Sequence, residues 1–560
     1  MPRLKQHPYI PTLIQQFADK QVGRRDFLRT ATLLGMSAAS AYGLVGRFDG
    51  LAGPVRAQEA KPKGGTLRLS TTVYDVKSPA TASTTAHPLI YAQVVEHLTR
   101  TGADNVTRPH LLQSWSASAD LKTWDLKIRP GIKWHSGRPF GADDVIWNLT
   151  RLLSDDAGSS MLGLMKGYML NEVDTGQVDE SGEKIIRHEL WDTNAIEKVD
   201  DLTVRLKLKA PQLAVPEHLF HYPAVMLDPA EGGVFGPGAN GTGAYTMTEI
   251  EVSRRAVLEA VPDYWGEGPY LDRIEFIDVG GNEQAIVNAL ASKQVDGAFQ
   301  ILPDFFPVLQ RAEHLAYYEV TTADTSVTRM NVTHKPFDDP RVRLAFRLAI
   351  DPAKASAVTH GPFSTPAEHH HVSPIHPEYA KLAPWRRDPA RAKALLAEAG
   401  YPDGVDVELT IQQNPPHHLR HATALAAMWK EAGIRAAIKV VPNAQYWNVW
   451  LTAPLGATVW AHRPLGVINL ALAYRTGVPW NESSYTNPTF DRLLDEAESM
   501  PDPNVRREKM AEIEQLMQDD GPIVQTYWTK LFTFYDKRVV GFGMHPTYSV
   551  FCHELAIRQA

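Results

Sequence analysis

Histidine offers this sequence its widest range of chemistry: it occurs 21 times, and two groups are dense. His369-His370-His371 is followed by His376, and His417-His418 by His421. His417 and His421 stand four apart, which on a helix places both rings on one face at a spacing suited to a metal ion. Prolines crowd both groups (Pro366, Pro374, Pro377, Pro415, Pro416), and no cysteine or carboxylate is spaced to complete a ligand set. The expectation is solvated loop histidines and no resident cofactor, with a metal at His417 and His421 as the alternative. Catalytic patterns are missing: there is no Gly-x-Ser-x-Gly, His-Glu-x-x-His, Walker loop or Cys-x-x-Cys. Gly236-Pro237-Gly238-Ala239-Asn240-Gly241 matches the spacing of a dinucleotide loop, but it holds a proline and runs into the strand-like Tyr245-Thr246-Met247 instead of a helix. The expected class is a binding protein with no catalytic residues.

Binding residues need a scaffold, and the chain reads as alternating strands and helices. Thr66 to Ser70, Trp124 to Ile128, Leu202 to Leu208, Ala256 to Leu258 and Ile274 to Val279 have strand character. Asp388-Pro389 opens a helix in which Ala392, Leu395, Leu396 and Ala399 share a face before Gly400. Phe490, Leu493, Leu494 and Ala497 repeat that face after Asn487-Pro488. This pattern predicts α/β lobes. Residues 154–200 mix acids and glycines with few periodic apolar positions, so an irregular insertion is expected there.

The first segment reads as an export signal. Gly23-Arg24-Arg25-Asp26-Phe27-Leu28-Arg29 is a twin-arginine motif, Thr30 to Gly46 is mildly apolar and uncharged, and Val55-Arg56-Ala57 ends on small residues. Cleavage is expected after Ala57, with an uncleaved anchor as the alternative. No later apolar run escapes charge or proline for long enough to span a membrane, so a periplasmic, water-soluble product is expected. Residues 1–57 carry eight of the 57 Lys/Arg and three of the 64 Asp/Glu, leaving 49 bases against 61 acids, a net charge near −12. That balance argues against nucleic acid as a partner. The single Cys552 excludes an internal disulfide.

A series of local patterns then recurs in fixed order. Leu111-Leu112-Gln113-Ser114-Trp115 precedes Ala119 to Trp124, and Ile128-Arg129-Pro130-Gly131-Ile132-Lys133-Trp134-His135-Ser136-Gly137-Arg138-Pro139-Phe140 precedes Ala142-Asp143-Asp144-Val145. Downstream stand Gly241-Thr242-Gly243-Ala244-Tyr245, Asp263-Tyr264-Trp265-Gly266, Val295-Asp296, Met330-Asn331, Pro336 to Ala345 and Asn487 to Leu494. Over residues 64–540 the ordered set resembles the family 5 extracellular solute-binding proteins, which serve peptide, nickel and opine ABC importers. Most of these positions also have plain structural readings: Gly131 and Gly137 as turn residues, and Asp143-Asp144 as a helix cap.

The resemblance implies a two-lobed periplasmic binding protein, with a subdomain inserted in lobe I and a ligand cleft between the lobes. Its expected divisions are a signal peptide over 1–57, lobe I over 58–325, lobe II over 326–521 and a return to lobe I over 522–560. Crossings are expected near Val320–Met330 and Pro522–Val524. Its expected partners are an importer permease and ATPase complex and a small-molecule ligand, with the protein acting as a monomer; a nickel or metal-chelate ligand, or an exported metalloenzyme, is the alternative. Peptide-binding members place an aspartate three residues after a tryptophan to meet the peptide amine. Here Trp460-Ala461-His462-Arg463 puts an arginine there, which favours a carboxylate or phosphate, with His462 as a second, cationic donor. Trp460, Tyr474 and Trp480 are candidate pocket walls, with burial in a plain core as the equal alternative, and Tyr74, following the first strand, is a further candidate.

Overall fold

The computed structural model describes residues 6–49, 61–178, 184–280, 282–415 and 417–559. It divides into two units, residues 1–320 with 532–560, and residues 321–531.

In the first unit the alternation at Thr66–Ser70 buries Leu67 and Leu69 and makes a strand parallel to both Arg273–Ile277 and Gly297–Ala298. Arg255–Ala260 and Tyr245–Glu251 extend the sheet antiparallel, so the glycine-rich run before Tyr245 does enter a strand. A separate antiparallel sheet runs in the order Leu112–Ala117, Thr123–Ile128, Thr203–Lys207, Ile196–Asp200. Beside it, Ala142–Leu152 is helical, and Asp144 Oδ2 accepts from Gly141 N at 2.9 Å and from the Trp134 indole at 3.3 Å.

The described residues within 154–200 are mostly regular, contrary to expectation. Ser159 caps the helix Ser160–Met169, and Leu170–Val178 pairs with Lys184–Leu190 as a hairpin. That hairpin is exposed on both faces, so it lacks the apolar alternation by which a strand is read. The N-terminal segment is likewise ordered, as α1 (Ile10–Ala18), α2 (Arg24–Leu33) and α3 (Ala38–Asp49); Ala57 lies outside the described residues. Among those residues no helix is long and apolar enough to cross a membrane.

In the second unit Val405–Gln412 and Ile434–Val441 pair in parallel through the intervening helix His417–Glu431. Leu455–Trp460 pairs antiparallel with Thr325 to Met330. Asp339, Asp388 and Asn487 cap the helices that begin at the following prolines, each accepting a first-turn N–H. Phe346, Leu395, Leu396, Leu409, Leu425 and Trp429 form the core. The division falls at Val320/Thr321 rather than 325/326. The return comes at Phe532 rather than 522, because Ile523–Gln525 pairs with Val327 to Arg329 and belongs to the second unit.

Candidate functional site

The end of the strand Leu455–Trp460 gathers the candidate site. Trp460 is buried, and its indole N–H donates to Glu482 Oε1 at 2.8 Å. Glu482 Oε2 accepts from Thr458 Oγ1 at 2.6 Å and from Arg329 Nε at 3.2 Å, so the acid missing near position 463 returns from further along the chain with three donors already in place.

The Trp460 ring meets half-buried Trp480 at 5.9 Å and His371 at 5.6 Å, edge to face in both cases. His371 in turn packs edge-on to Tyr474 at 5.7 Å and nearly parallel to Trp528 at 6.2 Å. Its position is enforced. His369 and His371 both hold positive φ, at 62° and 60°, an uncommon conformation for residues with a Cβ. Two reciprocal bonds pin this loop to the neighbouring strand: His371 N donates to Gln525 Oε1, and Gln525 N donates to His369 Nδ1, each at 3.0 Å.

Ring protonation follows from these partners. Burial pushes His371 down to about 3, with His376 and Arg463 adding to the shift, so the ring is neutral. Its Nδ1 lies 2.8 Å from the Tyr474 hydroxyl. A phenol donating there leaves the imidazole proton on Nε2. That Nε2 and the Trp528 indole Nε1 have no hydrogen-bond partner among the described residues, although both side chains are more than nine-tenths buried. Two N–H donors are thus held without acceptors in one aromatic cluster.

Arg463 and His462 both meet backbone groups. Arg463 is buried, and one guanidinium nitrogen donates to the carbonyls of Ala461 at 3.2 Å and His462 at 3.0 Å. Its own carbonyl accepts from His376 Nε2 at 3.0 Å. His462 Nδ1 accepts the Ala323 N–H at 3.0 Å, which requires that nitrogen to be unprotonated. The ring is neutral in this arrangement, not a second cation. Tyr74 lies in the first unit, 39% exposed and stacked on His87 at 4.9 Å.

The expectation of solvated histidines is overturned. His369, His370, His371, His376, His417, His418 and His421 are all buried. A neutral imidazole is a small aromatic ring with one donor and one acceptor, and some of these rings are bonded that way: His421 Nε2 meets Thr526 Oγ1 at 2.8 Å, and His376 Nδ1 accepts from Ser373 N at 3.0 Å, whereas His369, His371, His417 and His418 each keep at least one ring nitrogen without a hydrogen-bond partner among the described residues. His417 packs at a tilt against His360 and edge-on to His418, and His421 packs edge-on to Tyr527. Among the described residues no group of three or more His, Cys, Asp or Glu is placed to hold a metal ion, so the alternative at His417 and His421 finds no geometry. Gln525, Trp528 and Glu482 were not singled out in the sequence, and His371 was read only as one of a group of solvated histidines. Glu482 lay in view as the next acid after Arg463, whereas the other three are joined only by the fold.

Comparison with known proteins accords with this scaffold. Residues 106–491 match the family model described as bacterial extracellular solute-binding proteins, family 5 Middle. The chain is 29% identical over 465 residues to the glutathione-binding protein GsiB of Pectobacterium atrosepticum, covering 78% of this chain and 83% of that one. Among solved structures it is similar to AgaA from A. tumefaciens R10 in complex with agropinic acid, with TM-score 0.76, 20% identity, and 89% and 99% of the two chains covered. It is equally similar to the murein tripeptide binding protein MppA of Escherichia coli, with TM-score 0.76, 20% identity, and 90% and 99% covered. With the ordered motifs, the α/β units and a family match over more than half its length, the chain belongs to the family 5 bacterial extracellular solute-binding proteins.

Proposed function

We propose that this protein is the capture component of an ABC importer: it binds a small organic or peptide-like acid outside the cytoplasmic membrane and, as a monomer, hands it unchanged to a permease and ATPase complex. The acidic-ligand reading is carried by the two buried donors, His371 Nε2 and Trp528 Nε1, which have no acceptor among the described residues. A buried donor left unsatisfied costs about 1–3 kcal/mol, and a ligand carboxylate supplies acceptors for such groups. A ligand ammonium is served less well. Glu482 already takes three donors, and Asp324 accepts from Thr529 Oγ1 at 3.0 Å. Glutathione, agropinic acid and a murein tripeptide, the ligands named for the relatives, all carry carboxylates. Arg463 adds a positive charge near His371.

Native mass spectrometry of the purified protein identifies the solute, and calorimetric titration then compares that acid with its methyl ester. Trp528→Phe and His371→Phe each remove one donor while keeping an aromatic ring. Each is expected to weaken binding by roughly 10- to 150-fold, the equivalent of about 1.5–3 kcal/mol for a hydrogen bond to a charged group. Arg463→Ala is expected to weaken the acid more than the ester. Equal affinity for acid and ester, or a ligand lost only in Asp324→Asn, would replace the acidic reading with an amine-reading one.

Export through the twin-arginine route is part of the same proposal. Replacing Arg24 and Arg25 by lysine keeps both charges but removes the guanidinium pair, and the full-length chain is expected to accumulate in the cytoplasm. Unchanged delivery to the periplasm would rule that route out.

A further inference from the structure

The export segment is built into the fold of the first unit. In α2, Phe27, Leu28, Ala31 and Leu33 are buried, followed by Leu34 and Met36; in α3, Ala41 and Val45 are buried. Phe27 stacks on Phe17 of α1 at 4.5 Å. The body supplies specific partners. The Trp115 indole, on the strand Leu112–Ala117, donates to the carbonyl of Leu33 at 2.9 Å. The Tyr42 hydroxyl hydrogen-bonds Asp104, and Arg108 lies over the Tyr42 ring at 5.8 Å while pairing with Asp104. Arg24 and Arg25 remain exposed. The recognition pair is therefore displayed while the apolar stretch behind it is stored.

Storage depends on a bend at Gly35. This residue has φ +91°, and a Cβ added there would come within 2.8 Å of the Trp115 carbonyl oxygen. Only glycine meets both demands without strain. Without the bend, residues 30–46 as one helix would span about 25 Å, approaching the roughly 30 Å hydrocarbon layer of a bilayer. The same leucines cannot face Trp115 and lipid at once.

We infer that residues 24–46 form a two-state element, stored against the strand Leu112–Ala117 by the bend at Gly35, whose apolar part, residues 30–46, is released as a helix to a lipid bilayer. The stored state rests on the contacts above; the bilayer as the alternative partner rests on the export reading of the segment. In this scheme exposure of the apolar stretch is a conformational equilibrium of the folded protein, because the surface that receives it, with Trp115, Asp104 and Arg108, exists only once the first unit has folded.

The test uses the unprocessed full chain and two readouts: tryptic cleavage after Arg29, which is buried in the stored state, and co-sedimentation with vesicles of phosphatidylethanolamine and phosphatidylglycerol. Gly35→Ala disfavours the bend and favours a continuous helix. It is expected to speed cleavage roughly tenfold or more, an opening shift of the size that a strained positive-φ alanine imposes, and to raise the vesicle-bound fraction while the rest of the chain stays protected. Tyr42→Phe, which loses only the Asp104 bond, is expected to move both readouts the same way by less. Wild-type cleavage as fast as that of a free peptide of the same sequence, or no change in Gly35→Ala, would overturn the stored state. Faster cleavage without added vesicle binding would overturn the bilayer as its partner. The Arg24→Lys, Arg25→Lys chain is expected to cleave and bind like wild type, so a failure of the export route and a failure of docking give different results.

Discussion

Replacing Glu482 by glutamine is expected to destabilise the unit of residues 321–531 by about 3–5 kcal/mol, the range found when one partner of a buried ion pair is removed. Arg329 is fully buried and Glu482 nearly so. The arginine is fixed from all sides: it donates to the carbonyls of Ala453 and Trp450, and Gly456 leaves room for its guanidinium where a Cβ would come within 2.7 Å. Three donors converge on the Glu482 carboxylate, from Arg329, Thr458 and Trp460. Glutamine offers one acceptor oxygen and an NH2 that must face a donor, and it leaves the buried guanidinium without its counter-charge. For a unit of this size the loss corresponds to a fall of about 6–20 °C in the melting temperature of that transition, read by scanning calorimetry. A fall equivalent to less than about 1 kcal/mol would show that the pair is already solvated. A double variant, Glu482→Gln with Arg329→Met, is expected to recover part of the loss, since no buried charge then remains. Because the same carboxylate holds the Trp460 indole, the single variant is also expected to weaken solute binding.

This pair marks the boundary of what could be read from sequence. Local devices were legible: Asp339, Asp388 and Asn487 each sit just before a proline and cap the helix it opens, and Asp144 closes on Gly141. Such signals involve residues two to four apart, where backbone geometry alone decides contact. Arg329 and Glu482 are 153 positions apart, and His371 reaches Trp528 only because Gln525 ties the His369–His371 loop to its strand. The histidines were misplaced for a different reason. Their polarity and their proline neighbours suggested solvent, yet a neutral imidazole is cheaper to bury than any charged side chain. His462 shows the same bias: it counted as a cation beside Arg463, whereas the Ala323 N–H fixes its Nδ1 as an acceptor. Trp460 and Tyr474 were legible as aromatic residues of interest, but the orphan donors beside them were not, because orphanhood is a property of the packed cluster and not of any residue.

Those buried histidines should make the second unit acid-sensitive well above the range in which carboxylates titrate. Burial pushes His421 and His371 down to about 3 and His418 down to about 4, with His369 and His417 also held well below the usual value. His421 is further lowered by His360 and His418, and His417 by His418, His360, His421 and Arg420. In each case the folded state binds its proton less readily than the unfolded chain, whose histidines titrate near 6.5. The stability they contribute is therefore complete above about pH 6.5 and is lost as pH falls through the window down to about 3–4. At pH 5 a histidine kept neutral by the fold costs about 2 kcal/mol, so His371, His418 and His421 together account for about 6 kcal/mol. Glu514 works in the opposite direction. Burial raises it to about 9, so it is protonated in the fold while ionised in the unfolded chain, and acidification from pH 7 to 5 restores about 2–3 kcal/mol. The histidines win, leaving a net loss of about 3 kcal/mol over that interval before His369 and His417 are counted. His421→Gln isolates one contribution, because its amide can still reach Thr526 while no longer titrating. The variant is expected to be less stable than wild type at pH 7, with the gap narrowing by about 2 kcal/mol at pH 5 as the wild type loses what the variant never had. Denaturant titrations of both proteins at the two pH values measure that gap directly, and a gap independent of pH would mean that His421 is already charged, or already solvated, in the folded protein.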